Sequence, residues 1–560
     1  MEKDLQMPRL FIIGLDGADY HLTKKWMADG LLPNLARLRQ DGIFGCARST
    51  SPPITPVAWP SLCTGTSPVQ HGVWGFQQRR PETYEFDFVS SASVRLPTLW
   101  HLLNAAGYST GIMQVPLTYP PSPVNGWLIT GMFTPEGAQF AYPPELGQQI
   151  RHSFPDYRVS LRPGFHASVA SPAQLERELR TLTAAQLQVW EFLLDTRPAD
   201  MYFVVFPLTD WAAHHLGTDA ARQGQGDCGQ RLQAVYRLAD DVVGRCLSRL
   251  TSDDAVIIVS DHGSCPLRGV ISINTWLLRN GYMHLRPGAL RTAKAILTRM
   301  GKTRLGRRAA QWALGTSPRL RKSLHAGQGE ATQRGQTAAG VAGLLTFADV
   351  DWNRTRAFCI GTYPAIWINK KGREPLGIVS DGREYEAVCR DIAAGLEALD
   401  EGPSGEKPVA RVVQLRQNGS DDGRPDLLVE TRGWAYTDER LLDPLPGPFV
   451  WPPAESPVAY HSADGILFAA GPCFRVARDE ISASLSSIVP MVLRAFGIRP
   501  PAYMADEELA DVLCNPLSGG REPVDLSPAL AQQRPTPHSS GYSPRDAESV
   551  AQRLRQLGYL

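Results

Sequence analysis

Seven residues of this chain could together bind a pair of divalent metal ions and supply a nucleophile. They stand at the ends of four predicted strands and in one turn. Acids, imidazoles and one hydroxyl that reach the same edge of a sheet favour a dinuclear hydrolase over a binding module. These residues are Asp16, Thr55, Asp210, His214, Asp261, His262 and His461.

The acidic members of this set follow apolar runs of strand length. Asp16 comes directly after RLFIIGL at 9–15, Asp210 shortly after MYFVVFPL at 201–208, and Asp261 with His262 after AVIIVS at 255–260. In an open parallel sheet, ligands bind outside the carboxyl ends of the strands. We therefore expect these residues to line one crevice.

The spacing of Asp210 and His214 indicates a shared metal. Residues four apart on a helix point the same way, so a helix after the strand would present both to one ion. Carboxylate and imidazole ligands without a thiolate suit zinc, our first expectation, or manganese. Two such ions can neutralise a phosphoryl group while an in-line displacement proceeds.

Thr55 is the candidate nucleophile. It lies in SPPITPVAWPSLCTG at 51–65, where Pro52, Pro53 and Pro56 favour a turn and the following residues can begin a helix. A hydroxyl at a helix N-terminus beside a divalent cation has a lowered pKa and can become an alkoxide nucleophile.

The apolar strands alternate with helices, which predicts an α/β fold with a mostly parallel central sheet covered on both faces. Helices are predicted at 173–195 and 230–250, a further strand at 465–471 and a helix at 484–498.

The alternation of strands and helices weakens between Gly263 and Tyr460, which indicates an inserted cap. Within it, residues 286–334 carry twelve Lys or Arg against one acid, Glu330, typical of a solvated face or of a basic lid that attracts phosphorylated substrate.

Bulk composition restricts the function classes. The net charge is +1, which indicates no general affinity for nucleic acid or anionic membrane. The nine cysteines are scattered without a CxxC pair, which favours a reducing compartment over a disulfide framework. No signal-peptide pattern and no apolar run of membrane-spanning length are present. We expect a cytoplasmic protein that acts on a phosphorylated small molecule.

Taken together, the motifs resemble the alkaline phosphatase superfamily, and in particular its type I phosphodiesterase/nucleotide pyrophosphatase branch. They are GLDGAD at 14–19, PPITPVAWPSLCTG at 52–65 followed by HG at 71–72, LTDWAAHH at 208–215, VSDHG at 259–263 and HSADGI at 461–466. The stretches at 97–121 and 368–379 are similar to predicted phosphohydrolase/phosphomutase relatives in the same superfamily.

The resemblance implies an alkaline-phosphatase-like three-layer sandwich with two metal ions. Asp16, Thr55, Asp261 and His262 would surround one ion, and Asp210, His214 and His461 would hold the other. Thr55 would attack phosphorus and become transiently phosphorylated. The implied organisation is a catalytic domain over 1–515 with a cap at about 264–440 and a smaller insertion at 76–170, then a linker at 516–541 and a helix at 542–560.

One position departs from the family pattern. Where eukaryotic nucleotide pyrophosphatases carry an Asn shortly after the nucleophile, this chain has Ala58. Backbone N–H groups from Val57 onward, or a basic group of the cap, would then have to support the phosphate oxygen.

The sequence supports three hypotheses about function. The first is hydrolysis of a phosphodiester, and the alternative is a phosphomonoesterase or a phosphomutase. The third is a metal-binding scaffold protein without turnover. The substrate-binding residues, the substrate and the oligomeric state cannot be read from the sequence.

Overall fold

The computed structural model describes residues 8–219, 226–288, 345–400, 405–416, 423–438, 442–453, 457–504, 508–517, 524, 526 and 541–559. The basic segment predicted at 286–334 lies outside the described residues from 289 onward. Most of the linker predicted at 516–541 lies outside them too.

The described residues form a mixed α/β structure. Its strands are β1 (Leu10–Leu15), β2 (Gly42–Arg48), β3 (Gln77–Arg79), β4 (Phe86–Phe88), β5 (Thr110–Met113), β6 (Gly126–Ile129), β7 (Ala141–Tyr142), β8 (Met201–Phe206), β9 (Ala255–Val259), β10 (Gly263–Pro266), β11 (Gly269–Ile271), β12 (Ala357–Ile360), β13 (Ala365–Ile368), β14 (Val409–Gln414), β15 (Leu427–Thr431), β16 (Tyr436–Asp438), β17 (Val450–Trp451), β18 (Ala459–Ser462), β19 (Asp464–Ala470) and β20 (Ile481–Ser484).

The α-helices of the described residues are α1 (Tyr20–Ala28), α2 (Pro33–Asp41), α3 (Thr55–Thr64), α4 (Pro68–His71), α5 (Leu99–Ala105), α6 (Pro144–Ser153), α7 (Pro172–Thr196), α8 (Leu208–Leu216), α9 (Gly226–Leu247), α10 (Ile273–Arg279), α11 (Arg383–Glu397), α12 (Ile488–Ala495) and α13 (Pro544–Leu557). None of them combines the length and the hydropathy needed to cross a bilayer.

The described residues group into two compact units. The first lies within Met1–Gly75, Phe88–Pro266 and Ser456–Val550, and the second within Phe76–Asp87, Leu267–Glu455 and Ala551–Leu560. Strands β5 to β7 lie inside the range predicted as a smaller insertion, 76–170, yet they pair in the main sheet. Their apolar residues are buried there, so only 76–87 of that range groups with the second unit.

The first unit is built on a nine-stranded sheet with the order β20-β2-β19-β9-β1-β8-β5-β6-β7. Strands β9, β1, β8, β5 and β6 are mutually parallel, whereas β19 runs antiparallel to both β9 and β2. Every residue of β1, β8 and β9 is buried, as expected for strands covered on both faces. The prediction of a mostly parallel α/β sheet is confirmed.

The segment predicted as a helix at 484–498 is shorter in the structure. Residues 481–484 form β20, which pairs parallel to β2, and the α-helix α12 begins only at Ile488. The Ser484 side chain accepts a hydrogen bond from the Ser486 N–H at 3.3 Å. Ser484 therefore caps the start of the short 3₁₀-helix Leu485–Ser487, so helical structure begins after β20 and not at residue 484.

The second unit contains a four-stranded antiparallel sheet with the order β12-β13-β15-β14 and a three-stranded sheet with the order β16-β11-β17. The β3–β4 hairpin belongs to this unit through Tyr84, whose ring stacks on Trp352 with centroids 3.6 Å apart and whose hydroxyl donates to Asn369 Oδ1 at 2.7 Å. The Arg373 guanidinium is buried and bonds both carboxylate oxygens of Asp426 at 2.8 and 2.7 Å. Arg373 is therefore a structural residue of this unit.

Candidate metal centre

All seven candidate residues lie in the first unit, and the parallel strands place most of them at one edge of its sheet. Asp16 follows β1, α8 follows β8 after one residue, and Asp261 with His262 lies between β9 and β10. Because β8 and β9 pair with β1 on either side, their carboxyl ends meet at the same edge. Thr55 is the first residue of α3, and His461 lies on β18.

Three of these side chains form one candidate metal-binding set, which we call the Asp16 group: Asp16, Asp261 and His262. One ligand atom from each lies within 4.8 Å of the others, and all three residues are buried. His262 Nε2 is 3.3 Å from Asp261 Oδ2 and 3.7 Å from Asp16 Oδ1. Thr55 Oγ1 is 3.3 Å from the same His262 nitrogen, so the hydroxyl adjoins the group.

A second set, which we call the Asp210 group, consists of Asp210, His214 and His461. Asp210 Oδ1 lies 3.3 Å from His214 Nε2 and 3.6 Å from His461 Nε2, and the two imidazole nitrogens are 3.0 Å apart. Asp210 and His214 both lie on α8, as their spacing predicted. The two groups adjoin, since the rings of His262 and His461 have centroids 4.0 Å apart.

Two histidines have their outer ring nitrogens bonded to backbone carbonyls. His214 Nδ1 lies 2.8 Å from the Ala459 carbonyl oxygen, and His262 Nδ1 lies 2.9 Å from that of Gly263. A carbonyl only accepts, so each Nδ1 carries a proton, and each Nε2 lies among the side chains of its own group. Metal-ligating histidines are oriented in this way.

Backbone geometry sets the approach of the first strand to α8. Gly17 has φ +65°, and a Cβ there would lie 2.7 Å from Asp210 Cβ and 2.9 Å from Asp210 Oδ1. Only glycine fits this conformation and this space. The Thr209 hydroxyl donates to the Asp16 carbonyl, and the Asp16 N–H donates to the Phe206 carbonyl at 3.1 Å. These contacts fix Asp16 beside Asp210.

Burial perturbs the carboxyl groups of the Asp16 group. Burial, reinforced by the charges of Asp261 and Asp210, raises the pKa of Asp16 well above its usual range. Burial also raises the pKa of Asp261 to about 6, although His262 works against it. Asp16 Oδ1 and Asp261 Oδ2 are buried and accept no hydrogen bond from the described residues. Such atoms are costly to bury without a partner, and a cation between them would supply one.

The Asp210 group has the opposite balance of charge. Burial works to raise the pKa of Asp210, but His214, His461 and His262 outweigh it and hold that pKa well below its usual range. Burial and the repulsion of His262 lower the pKa of His461 well below its usual value. Burial also opposes the charge on His214, but the Asp210 carboxylate prevails and raises its pKa. Buried oxygen and nitrogen donors of both groups fit divalent cations such as zinc or manganese.

The backbone N–H groups that were expected to donate to the phosphate oxygen are already used within α3. The N–H groups of Val57 and Ala58 both donate to the Ile54 carbonyl at 2.8 Å. The prediction that backbone N–H groups from Val57 onward are available is wrong for these two, because the first turn of α3 uses them. The N–H of Thr55 itself is the first donor that this turn offers.

His71 of the HG motif has hydrogen-bond partners outside the two candidate metal-binding groups. His71 is buried, with Nε2 2.9 Å from Ser61 Oγ and Nδ1 accepting the Val73 N–H at 3.2 Å. It therefore orders the turn after α3. Sequence reasoning missed Trp59, whose indole N–H donates to Asp16 Oδ2 at 3.0 Å. No local pattern distinguishes that tryptophan from a packing residue.

Comparison with known proteins identifies the family of this chain. A model of the type I phosphodiesterase/nucleotide pyrophosphatase family matches residues 10–323, more than half of the chain. The chain belongs to this family. Membership confirms the resemblance that the motifs predicted and indicates a phosphoester hydrolase. No curated protein matches the sequence.

Solved structures resemble this type I phosphodiesterase family member at low identity. Phosphonoacetate hydrolase from Sinorhizobium meliloti 1021, in complex with phosphonoformate, is 15% identical over 86% of this chain and 94% of its own, with a TM-score of 0.49. Murine ectonucleotide pyrophosphatase/phosphodiesterase 5, in complex with AMP, is 11% identical over 90% of this chain and 100% of its own, with a TM-score of 0.47. The human protein of that name is 12% identical over 90% and 99%, with a TM-score of 0.48.

Proposed function

We propose that this family member is a two-metal phosphodiesterase in which Thr55 is the nucleophile. The observation that carries the proposal is the position of the Thr55 hydroxyl. It lies 3.3 Å from His262 Nε2, at the first residue of α3, and the His262 ring in turn lies 4.0 Å from the His461 ring of the Asp210 group. A hydroxyl in such a setting has the neighbours that a phosphoryl-transfer nucleophile needs.

Each group would hold one divalent cation. Asp16, Asp261, His262 and the Thr55 hydroxyl would hold the first, and Asp210, His214 and His461 would hold the second. We propose zinc, with manganese as the alternative, because the donors are carboxylates and imidazoles. When bound, the cations would acidify the hydroxyl and neutralise charge on the phosphoryl and leaving oxygens.

The chain's own groups would perform the covalent step. The Thr55 hydroxyl would lose its proton to solvent, and its oxygen would form a bond to phosphorus as the bond to the leaving alkoxide breaks. The alkoxide would take up a proton from solvent and leave as an alcohol. Water would then cleave the phospho-threonine ester, releasing a phosphomonoester and restoring the hydroxyl. The positive end of α3 at Thr55 favours the negative charge that develops there. A phosphomonoester substrate would follow the same two displacements, and release of free phosphate would identify it.

The test is a hydrolysis screen after reconstitution of the full chain with zinc or manganese. We expect turnover of a nitrophenyl phosphodiester that exceeds turnover of the monoester. Thr55→Ala should lower the diester rate by at least about 10³-fold, because removing a nucleophile removes the covalent route. Sugar and glycerate phosphates, assayed for isomerisation without free phosphate, test the phosphomutase alternative.

Thr64→Ala is the matched control. Thr64 is buried on the same helix, and its hydroxyl donates to the Pro60 carbonyl at 2.6 Å rather than to a site residue. Its rate should stay within a few-fold of wild type. Near-normal turnover in metal-loaded, folded Thr55→Ala protein would refute the nucleophile assignment. We also propose a cytoplasmic location, because the nine scattered cysteines without a CxxC pair favour a reducing compartment.

A further inference from the structure

The helix that begins at Thr55 has a second contact with the metal centre. Trp59 lies one turn further along α3, and its indole N–H donates to Asp16 Oδ2 at 3.0 Å. Trp59 is fully buried and Asp16 is nearly so. One helix therefore presents the hydroxyl and also a hydrogen-bond donor to a neighbouring ligand.

This hydrogen bond distinguishes the two oxygens of Asp16. Oδ2 accepts from Trp59, whereas Oδ1 accepts from no described residue and faces His262 Nε2 at 3.7 Å. A carboxylate without such a donor could rotate about its terminal torsion, which is broad. The indole N–H thus holds the carboxylate with Oδ1 toward the Asp16 group.

The first strand provides the space for the indole ring. A Cβ at Gly14 would lie 2.6 Å from Trp59 Cη2 and 2.8 Å from Val205 Cγ2. Residues 14 and 16 are two apart on or next to β1 and so point to the same face. Gly14 therefore lets the Trp59 ring lie against the backbone just before Asp16, where the indole N–H reaches the Asp16 carboxylate.

We propose that Trp59 is a positioning residue that orients Asp16 for cation binding in the Asp16 group. The inference rests on the proposed function, since that group must bind a divalent cation. Loss of a hydrogen bond to a metal ligand typically lowers metal affinity or activity by roughly 10- to 100-fold. The effect should be confined to one of the two ions.

The experiment compares Trp59→Phe with wild type in the full chain. Zn²⁺ affinities are measured by competition with a chromogenic chelator, and the visible spectrum of the Co²⁺-loaded protein reports ligand geometry. We expect one Zn²⁺ to bind about 10-fold more weakly or worse, with the second unchanged and with an altered Co²⁺ spectrum. Circular dichroism confirms that the variant is folded.

Trp100→Phe is the matched control. Trp100 is buried in the same hydrophobic core, and its indole nitrogen has no hydrogen-bond partner among the described residues. The Trp100→Phe variant loses the same atoms as Trp59→Phe, but Trp100 donates no hydrogen bond to a candidate metal ligand. Both Zn²⁺ affinities should therefore equal those of wild type. If Trp59→Phe does not fold, Gly14→Ala, which displaces the ring but keeps its N–H, should give the same selective loss.

The outcomes separate this inference from the proposed function. Wild-type protein that binds no Zn²⁺ contradicts the proposed function itself. Wild-type protein with two ions, together with a Trp59→Phe variant of equal affinities and unchanged Co²⁺ spectrum, overturns only the role of Trp59. Equal weakening of both ions in Trp59→Phe and Trp100→Phe also overturns it, because that result indicates general loosening of the core.

Discussion

Replacement of Gly17 by alanine tests whether close packing of the turn after β1 against α8 builds the candidate metal centre. Gly17 has φ +65°, and an added Cβ would lie 2.7 Å from Asp210 Cβ and 2.9 Å from Asp210 Oδ1. Gly30 has a similar φ of +73°, but a Cβ there would meet nothing within 4 Å. Gly30→Ala therefore carries the backbone cost alone and serves as the control.

The expected magnitudes follow from that difference. A left-handed conformation costs an alanine roughly 1–2 kcal/mol, so both variants should lose about that much free energy of unfolding. At Gly17 the overlap also forces Asp210 or the Gly17 backbone to move. A displacement of about 1 Å at a catalytic group can cost about 10²-fold in rate. We expect a loss of that size in Gly17→Ala and less than about two-fold in Gly30→Ala.

Two assays separate these effects. Urea unfolding of the metal-free proteins gives the stability change, and initial rates with a nitrophenyl phosphodiester at saturating Zn²⁺ give the functional change. Wild-type turnover and two bound ions in Gly17→Ala would refute this role for Gly17. An equal loss of activity in Gly30→Ala would also refute it, because backbone strain alone would then explain the result.

Three further predictions concern other contacts. Asp210→Asn should lower bound Zn²⁺ from two ions to one per chain by elemental analysis, and retention of two would contradict the ligand assignment. Burial lowers the pKa of His71 to about 3. Between about pH 6.5 and 5 only unfolded His71 then binds a proton. As the pH is lowered through this range, the free energy of unfolding should therefore fall more steeply in metal-free wild type than in His71→Gln, by about 0.7 rising to about 1.4 kcal/mol per pH unit, measured by urea unfolding. Asp426→Asn leaves Arg373 buried without its main partner and should cost about 3–5 kcal/mol, whereas Glu430→Gln, whose partner Arg411 is exposed, should cost less than about 1 kcal/mol by the same assay.

The strands that carry the site could be predicted from the sequence for a simple reason. RLFIIGL, MYFVVF and AVIIV are uninterrupted apolar runs, and a parallel sheet covered on both faces needs such runs. Acids that follow them must then meet at one edge. The helical spacing of Asp210 and His214 is borne out by α8 in the structure.

The antiparallel part of the sheet could not be predicted in the same way. Strand β2 contains Gly42 and Gly45, and glycine is a residue type that is depleted in strands. In the structure these glycines let the backbone approach neighbouring strands, since Cβ atoms there would lie 2.1 Å from the Ala469 carbonyl oxygen and 1.9 Å from that of Ile481. Which strand a glycine-containing segment approaches depends on long-range pairing, and local composition does not contain that information.

The contacts around the candidate metal centre could not be predicted from the sequence either. The Trp59 hydrogen bond to Asp16 joins residues 43 positions apart, and it depends on the space beside Gly14. The use of the Val57 and Ala58 N–H groups by Ile54 depends on how tightly the first turn of α3 closes. Both are properties of packing and local geometry rather than of residue type.

Anomalous diffraction from crystals of the zinc-loaded protein would locate the two cations that the proposed function requires. We expect two zinc peaks. One should lie about 2 Å from ligand atoms of Asp16, Asp261 and His262 and adjoin the Thr55 hydroxyl, and the other should lie about 2 Å from Asp210, His214 and His461. Crystals of active, zinc-loaded protein with no peak at either group, or with zinc bound only elsewhere, would contradict the proposed function.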